Sequence, residues 1–200
     1  VRDADELHDA LLTLVVVPPV DAWQGWFDEL VAQRRAAALN VAGTTLWTCA
    51  ERRALTRIMY AGAEADVEPA EIAPSSALPG TREEAVAEVL RGWLESSGPL
   101  TVAEVSAKLA IDERAVDVAL IRLETEGSVL RGRFRGSEEE WCNRRVLARI
   151  HRLTIGTLRR EIEPVGTADY VRFLYRWQHV APGSRLHGIE GTLHVVKQLE

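Results

Sequence analysis

Three arginines alternate along the stretch SVLRGRFR, residues 128–135. In a strand, side chains two apart leave the same face. Arg131, Arg133 and Arg135 would then form a row able to meet successive phosphates, with Leu130 and Phe134 turned toward the core. The same row suits a solvated edge strand protected by charge. Trp47 is a second candidate. It lies in TTLWTCAERR on the face shared with Thr45 and Cys49, just ahead of Arg52 and Arg53. An aromatic on a ribbon beside arginines can stack an unpaired base; a Trp in the core is the alternative. The third candidate is the run ARIHRLTIGTLRREIEPVGTADYVRFLYRWQHV, residues 148–180, with the turn of helix before it. Arg145, Arg149 and Arg152 recur at helical spacing one residue behind an apolar stripe of Val146, Ile150 and Leu153. Arg172, Arg176 and His179 likewise run beside Tyr170, Leu174 and Trp177, expected to face inward. Two such basic stripes could line a groove that tracks a nucleic-acid backbone, or be neutralised by Glu161, Glu163 and Asp169.

Catalytic chemistry finds less support. The sequence has no G-x-x-x-x-G-K-[ST] phosphate loop, G-x-G-x-x-G, G-x-S-x-G elbow or H-E-x-x-H. His8, His151, His179, His187 and His194 show no metal-ligand spacing among themselves. Acids such as Glu161 and Glu163 sit beside Arg159 and Arg160, the arrangement of ion pairs rather than of an acid–base dyad. No catalytic residue and no metal ligand is therefore expected.

Helices and turns must hold these candidates in place. Thr81-Arg-Glu-Glu84 and Thr101-Val-Ala-Glu104 have capping-box spacing, and Asp112 is a good N-cap. They predict three helices, with Val86, Val89, Leu90, Trp93 and Leu94 inward on the first. Val105 and Leu109 serve the second, and Val116, Leu120 and Leu123 the third, which ends at Gly127. The strand-like SVLRGRFR follows, giving the element order of a winged helix over residues 81–136. In groove-reading relatives the third helix meets base edges. Here DERAVDVALIRLETEG carries five acids and two arginines, with Asp117, Val118 and Ile121 outward. That face suits docking on protein rather than on phosphate.

Residues 137–200 are expected to be helical. Ser137-Glu-Glu-Glu140 predicts a cap for a long helix running toward Ile162, bent near Gly156 and ended by Glu163-Pro164. Thr167 is expected to cap a further helix, and LHGIEGTLHVVKQLE to begin another element. Residues 1–60 predict helices over Asp3–Leu14 and Trp23–Gln33, then a hairpin turning near Asn40–Gly43, a candidate truncated winged helix. The Ala-, Glu-, Pro- and Ser-rich residues 61–80 read as a linker and domain boundary. The expected fold class is α+β, mostly α, with tandem winged-helix modules and small β-hairpins.

The formal charge of -6 conceals an asymmetry. Residues 1–100 carry 8 basic and 16 acidic side chains, residues 101–200 carry 16 and 14, and residues 127–160 hold nine arginines against three glutamates. Of the 24 basic residues 22 are Arg, the side chain suited to bidentate phosphate contact, although a genome favouring Arg codons gives the same bias. No run is apolar and long enough to span a membrane. Two distant cysteines and an acidic N-terminus lacking an initiator Met predict a cytoplasmic, reduced protein, read as an excised fragment.

The segments W-C-N-R-R, A-R-I-H-R and F-L-Y-R-W-Q-H resemble the large helicase-related (Lhr) family of bacterial superfamily 2 helicases. ELHDALL, LWTCAERR and HGIEGTLHVVKQLE extend the resemblance over nearly the whole chain. It implies a parent that translocates 3′-to-5′ on single-stranded DNA with ATP and Mg, and that unwinds duplexes including RNA:DNA hybrids. The RecA-like motor domains would lie upstream, leaving an accessory domain that carries no cofactor of its own. The resemblance assigns strand stacking to Trp47 and backbone contacts to Arg52, Arg53 and the wing arginines. A protein-docking module is the first alternative. A winged-helix DNA glycosylase is the second, weakened because the Q-x-Q signature is missing.

Overall fold

A computed structural model describes residues 1–74, 77–161 and 164–199. The chain is α+β and mostly α, as expected, and it divides into two compact units, Val1–Arg152 and Leu153–Glu200.

In the first unit, helix α1 (Ala4–Leu14) starts where the Asp3 carboxylate accepts the amide of Glu6, and buries Leu7, His8 and Leu11. The helix stops at Leu14, with Val15 turning at φ 67° ahead of Val17-Pro18-Pro19, and α2 (Gln24–Ala32) follows with Phe27 and Leu30 buried. Strands β1 (Ala36–Val41) and β2 (Thr44–Cys49) form the expected hairpin, with Ala38 opposite Trp47. Gly43 turns it with φ 86°, and its amide donates to the Asn40 side chain. Helix α3 (Arg53–Met59) and the short strand β3 (Glu64–Ala65) complete this half, β3 pairing with β1.

Residues 61–80 are not a free linker over their first half. The backbone of Asp66 bonds to Ala38, that of Ala70 bonds to Arg34, and Glu68 pairs with Arg53 and Arg57. Nor do they separate two compact units, because residues on either side share one core. The Tyr60 hydroxyl donates to the Leu109 carbonyl at 2.5 Å, and Trp93 Nε1 to the Val16 carbonyl at 3.1 Å. Both groups are polar tips on buried rings and need such partners.

Helices α4 (Arg82–Ser96), α5 (Val102–Leu109) and α6 (Glu113–Thr125) precede an antiparallel ribbon of β4 (Val129–Gly132) and β5 (Glu140–Asn143). Three helices thus lead into a ribbon here, whereas residues 1–60 show helix, helix, hairpin, helix. Thr81 and Asp112 accept the amides of Glu84 and Ala115, while Thr101 and Glu104 form the complete reciprocal box. Glu140 does not open a helix. Burial of Glu140, Trp141 and Cys142 draws that segment into the ribbon, and Trp141 exchanges two backbone bonds with Leu100. The next helix, α7 (Arg144–Glu161), is capped by the Asn143 side chain, which accepts from the amide of Arg145 at 2.8 Å. It runs unbroken through Gly156. Its expected end at Ile162 and Glu163 lies outside the described residues.

The second unit contains α8 (Thr167–Trp177) and α9 (Gly188–Leu199). Gly166, not Thr167, is the N-cap residue of α8. No apolar side chain of this unit is buried among the described residues.

Candidate nucleic-acid interface

The structure sorts the candidates by whether their charge is already matched. Arg53 is buried on α3 and forks onto Glu68, with Nη2–Oε1 at 2.8 Å. Arg52 donates Nε to the Leu12 carbonyl at 2.7 Å and turns Nη1 toward Glu88 at 3.5 Å. Both hold the fold together, which corrects their expected role as backbone contacts.

Trp47 is corrected as well. It is 2% exposed, and its ring stacks on Phe27 with centroids 4.1 Å apart and planes 7° from parallel. Its backbone exchanges two hydrogen bonds with Val17. Strand β2 has α1 packed against it, and Leu46 through Cys49 are all buried, so the ribbon has no wet face here for an unpaired base. Period-two alternation marks a strand but does not reveal that both its faces are covered.

The wing row is broken. Strand β4 ends at Gly132, where the Phe134 ring folds back; a Cβ on Gly132 would stand 2.7 Å from Phe134 Cζ. Leu130, expected inward, is exposed. Arg131 lies over the Trp141 ring at 5.4 Å and faces Glu124 and Glu139 at 3.7 and 3.6 Å. Arg135 reaches Glu104 at 2.6 Å and also pairs with Glu140. Burial works to raise Glu140, yet the Arg135 side chain and the amides of Arg135 and Phe134 leave its carboxyl below the ordinary value. Hydrogen bonds from Arg135 and the Thr101 amide hold Glu104 at about 2. Of the wing row only Arg133 is exposed and without an ion pair among the described residues.

The helical stripes differ from this pattern. Arg145, Arg149 and Arg152 are exposed along α7, and none has an ion pair among the described residues. They span about 10 Å of helix axis. In the second unit Arg176 is equally unmatched, and Arg172 pairs with Asp169 at 2.9 Å while staying 75% exposed. Asp169 thus neutralises one arginine, as the alternative had it.

Their apolar neighbours are not core residues. Ile150 and Leu153 on α7 are exposed, as are Tyr170 and Trp177 on α8. Phe173 and Tyr175 are exposed too, and Phe173 stacks on Trp177 with centroids 5.9 Å apart. A cleft of about 610 Å³ opens beside this pair, lined also by Arg176, His179, His194 and Lys197. Tyr170 and Trp177 were expected inward because their spacing is helical; spacing identifies an apolar face but not what covers it.

On α6, Val118 and Ile121 are exposed as expected. No helix among the described residues is long and apolar enough to cross a membrane.

No family model matches the chain. It is 29% identical over 208 aligned positions to a Mycolicibacterium smegmatis protein named "Lhr helicase/probable uracil glycosylase". The alignment covers 99% of this chain and 13% of that protein. The match agrees with the resemblance carried by W-C-N-R-R, A-R-I-H-R and F-L-Y-R-W-Q-H: the chain fits a fragment of an Lhr-type helicase.

Proposed function

We propose that this chain is a nucleic-acid-binding accessory region of an ATP-dependent 3′-to-5′ Lhr-type helicase, working beside RecA-like motor domains of the same protein. The motor supplies ATP and Mg chemistry; this region holds the tracking single strand, from DNA or an RNA:DNA hybrid. The observation that carries the proposal is the trio Arg145, Arg149 and Arg152, exposed and unmatched while most other candidate arginines are engaged in ion pairs. Guanidiniums without a carboxylate partner can accept phosphate with no internal pair to break. Arg133 adds a fourth such group and Arg176 on the second unit a fifth, while Arg172 is paired with Asp169 yet stays largely exposed. The exposed rings of Phe173 and Trp177 beside Arg176 provide a surface on which bases stack.

The test is fluorescence anisotropy of a labelled single-stranded DNA, titrated at several salt concentrations. Replacing Arg145, Arg149 and Arg152 with Gln is expected to lower the slope of log affinity against log salt by about 2, at roughly 0.7 per phosphate contact. No binding by the unaltered chain at low salt would overturn the proposal. That result would favour interdomain docking, for which exposed Val118 and Ile121 and the apolar side chains of the second unit offer a surface. A uracil-bearing strand in the same assay, developed for abasic sites, addresses glycosylase chemistry directly.

A further inference from the structure

His8 is brought by the fold against Cys49 and Glu51, which stand two residues apart. His8 lies on α1, Cys49 ends β2, and Glu51 sits in the turn Ala50–Arg52 that follows. One ligand atom from each lies within 4.8 Å of the other two, and this is the one such His/Cys/acid group among the described residues. His8 Nε2 is already 3.1 Å from Glu51 Oε2. His8 is 7% exposed and Cys49 fully buried, whereas the Glu51 side chain is 34% exposed.

We propose that these three residues form a binding site for a borderline divalent cation, zinc above all. A nitrogen, a sulfur and a carboxylate oxygen are the donor types that tetrahedral zinc accepts. At the usual bond lengths tetrahedral ligands stand about 3.4–3.6 Å apart, so closure needs movements of roughly 1 Å. A carboxylate and a thiolate together neutralise the cation, Cys49 giving up its proton as the metal–sulfur bond forms. The adjacent Arg52 directs its guanidinium elsewhere, donating to the Leu12 carbonyl and turning toward Glu88. The partly exposed Glu51 gives a way in from solvent. The bound ion would staple α1 to the hairpin. The proposal does not depend on nucleic-acid binding, because the site uses none of the arginines assigned to phosphate.

Cobalt(II) is the probe, titrated into metal-free intact chain. The expected result is saturation at one equivalent, with a thiolate-to-cobalt charge-transfer band in the near ultraviolet, intense visible bands of four-coordination, and loss of both on adding zinc. Cys49→Ser and His8→Gln should each weaken binding by more than the roughly 10–100-fold that loss of an outer-shell partner costs. Glu51→Gln alters a side chain that is partly in solvent, so it tests the site without threatening the core. Cys142→Ser and His194→Gln should leave the titration unchanged. A flat titration overturns the proposal, as does a band that survives Cys49→Ser or disappears with Cys142→Ser.

Discussion

The ring of Phe27 on α2 lies face to face with that of Trp47 on β2, 4.1 Å between centroids. The pair closes the core between helix and hairpin and leaves neither face of Trp47 open to a base. Trp47→Ala is therefore expected to destabilise the first unit by about 3–5 kcal/mol, the usual cost of truncating a buried aromatic. Urea unfolding measures this. Per folded molecule, affinity for single-stranded DNA should be unchanged.

Trp177→Ala should behave in the opposite way. The side chain is 54% exposed, so the urea midpoint of the first unit should not move. Strand affinity should fall by about 1–3 kcal/mol if one base stacks there. Anisotropy at fixed salt separates this from a loss of charge contacts.

Gly92 on α4 stands directly against the backbone of α1. A Cβ there would collide with the Thr13 carbonyl oxygen, a backbone atom that cannot swing aside. Gly92→Ala improves helix propensity yet is expected to destabilise by roughly 1–3 kcal/mol through overpacking. Thermal unfolding monitored by circular dichroism would show the lowered midpoint.

Acid should loosen the β4–β5 ribbon from α5. Glu104 has an ordinary value of 4.5 and is held near 2 by Arg135 and the Thr101 amide. A carboxyl depressed in the folded state contributes stability that is present above its unfolded value and is lost as pH falls toward its folded one. The contribution is thus complete above 4.5 and disappears on the way down to about 2. Urea midpoints measured across that interval should fall less steeply in Arg135→Ala, which removes the partner of Glu104 and Glu140 together.

Much of the fold was legible because short-range chemistry fixes it. The acceptors at Asp3, Thr81, Thr101 and Asp112 start the helices expected of them, and Asn40 to Gly43 turns the hairpin. What could not be read locally was coverage. Trp47, read as open, is buried, and Tyr170 and Trp177, read as inward, are exposed, because a strand pattern is silent about a second layer and a helical stripe is silent about what covers it. The Ser137–Glu140 cap failed for a related reason. Its spacing is correct, but Trp141 and Cys142 gain more by burial in the ribbon than the segment would gain as a first helical turn. The candidate metal ligands escaped notice because His8 and Cys49 lie far apart in sequence and share no motif.

Tyr60 and Trp93 each reach across the stretch 61–80 to a backbone carbonyl on the other side. Two segments joined in this way cannot be exchanged like beads on a string. Chains cut within 66–74 would leave Leu90 and Leu94 on one piece and Val16 and Met59 on the other without cover. Co-expressed halves would then have to find each other to become soluble, and over time a lineage could lengthen or shorten the strap between them more readily than it could lose either half.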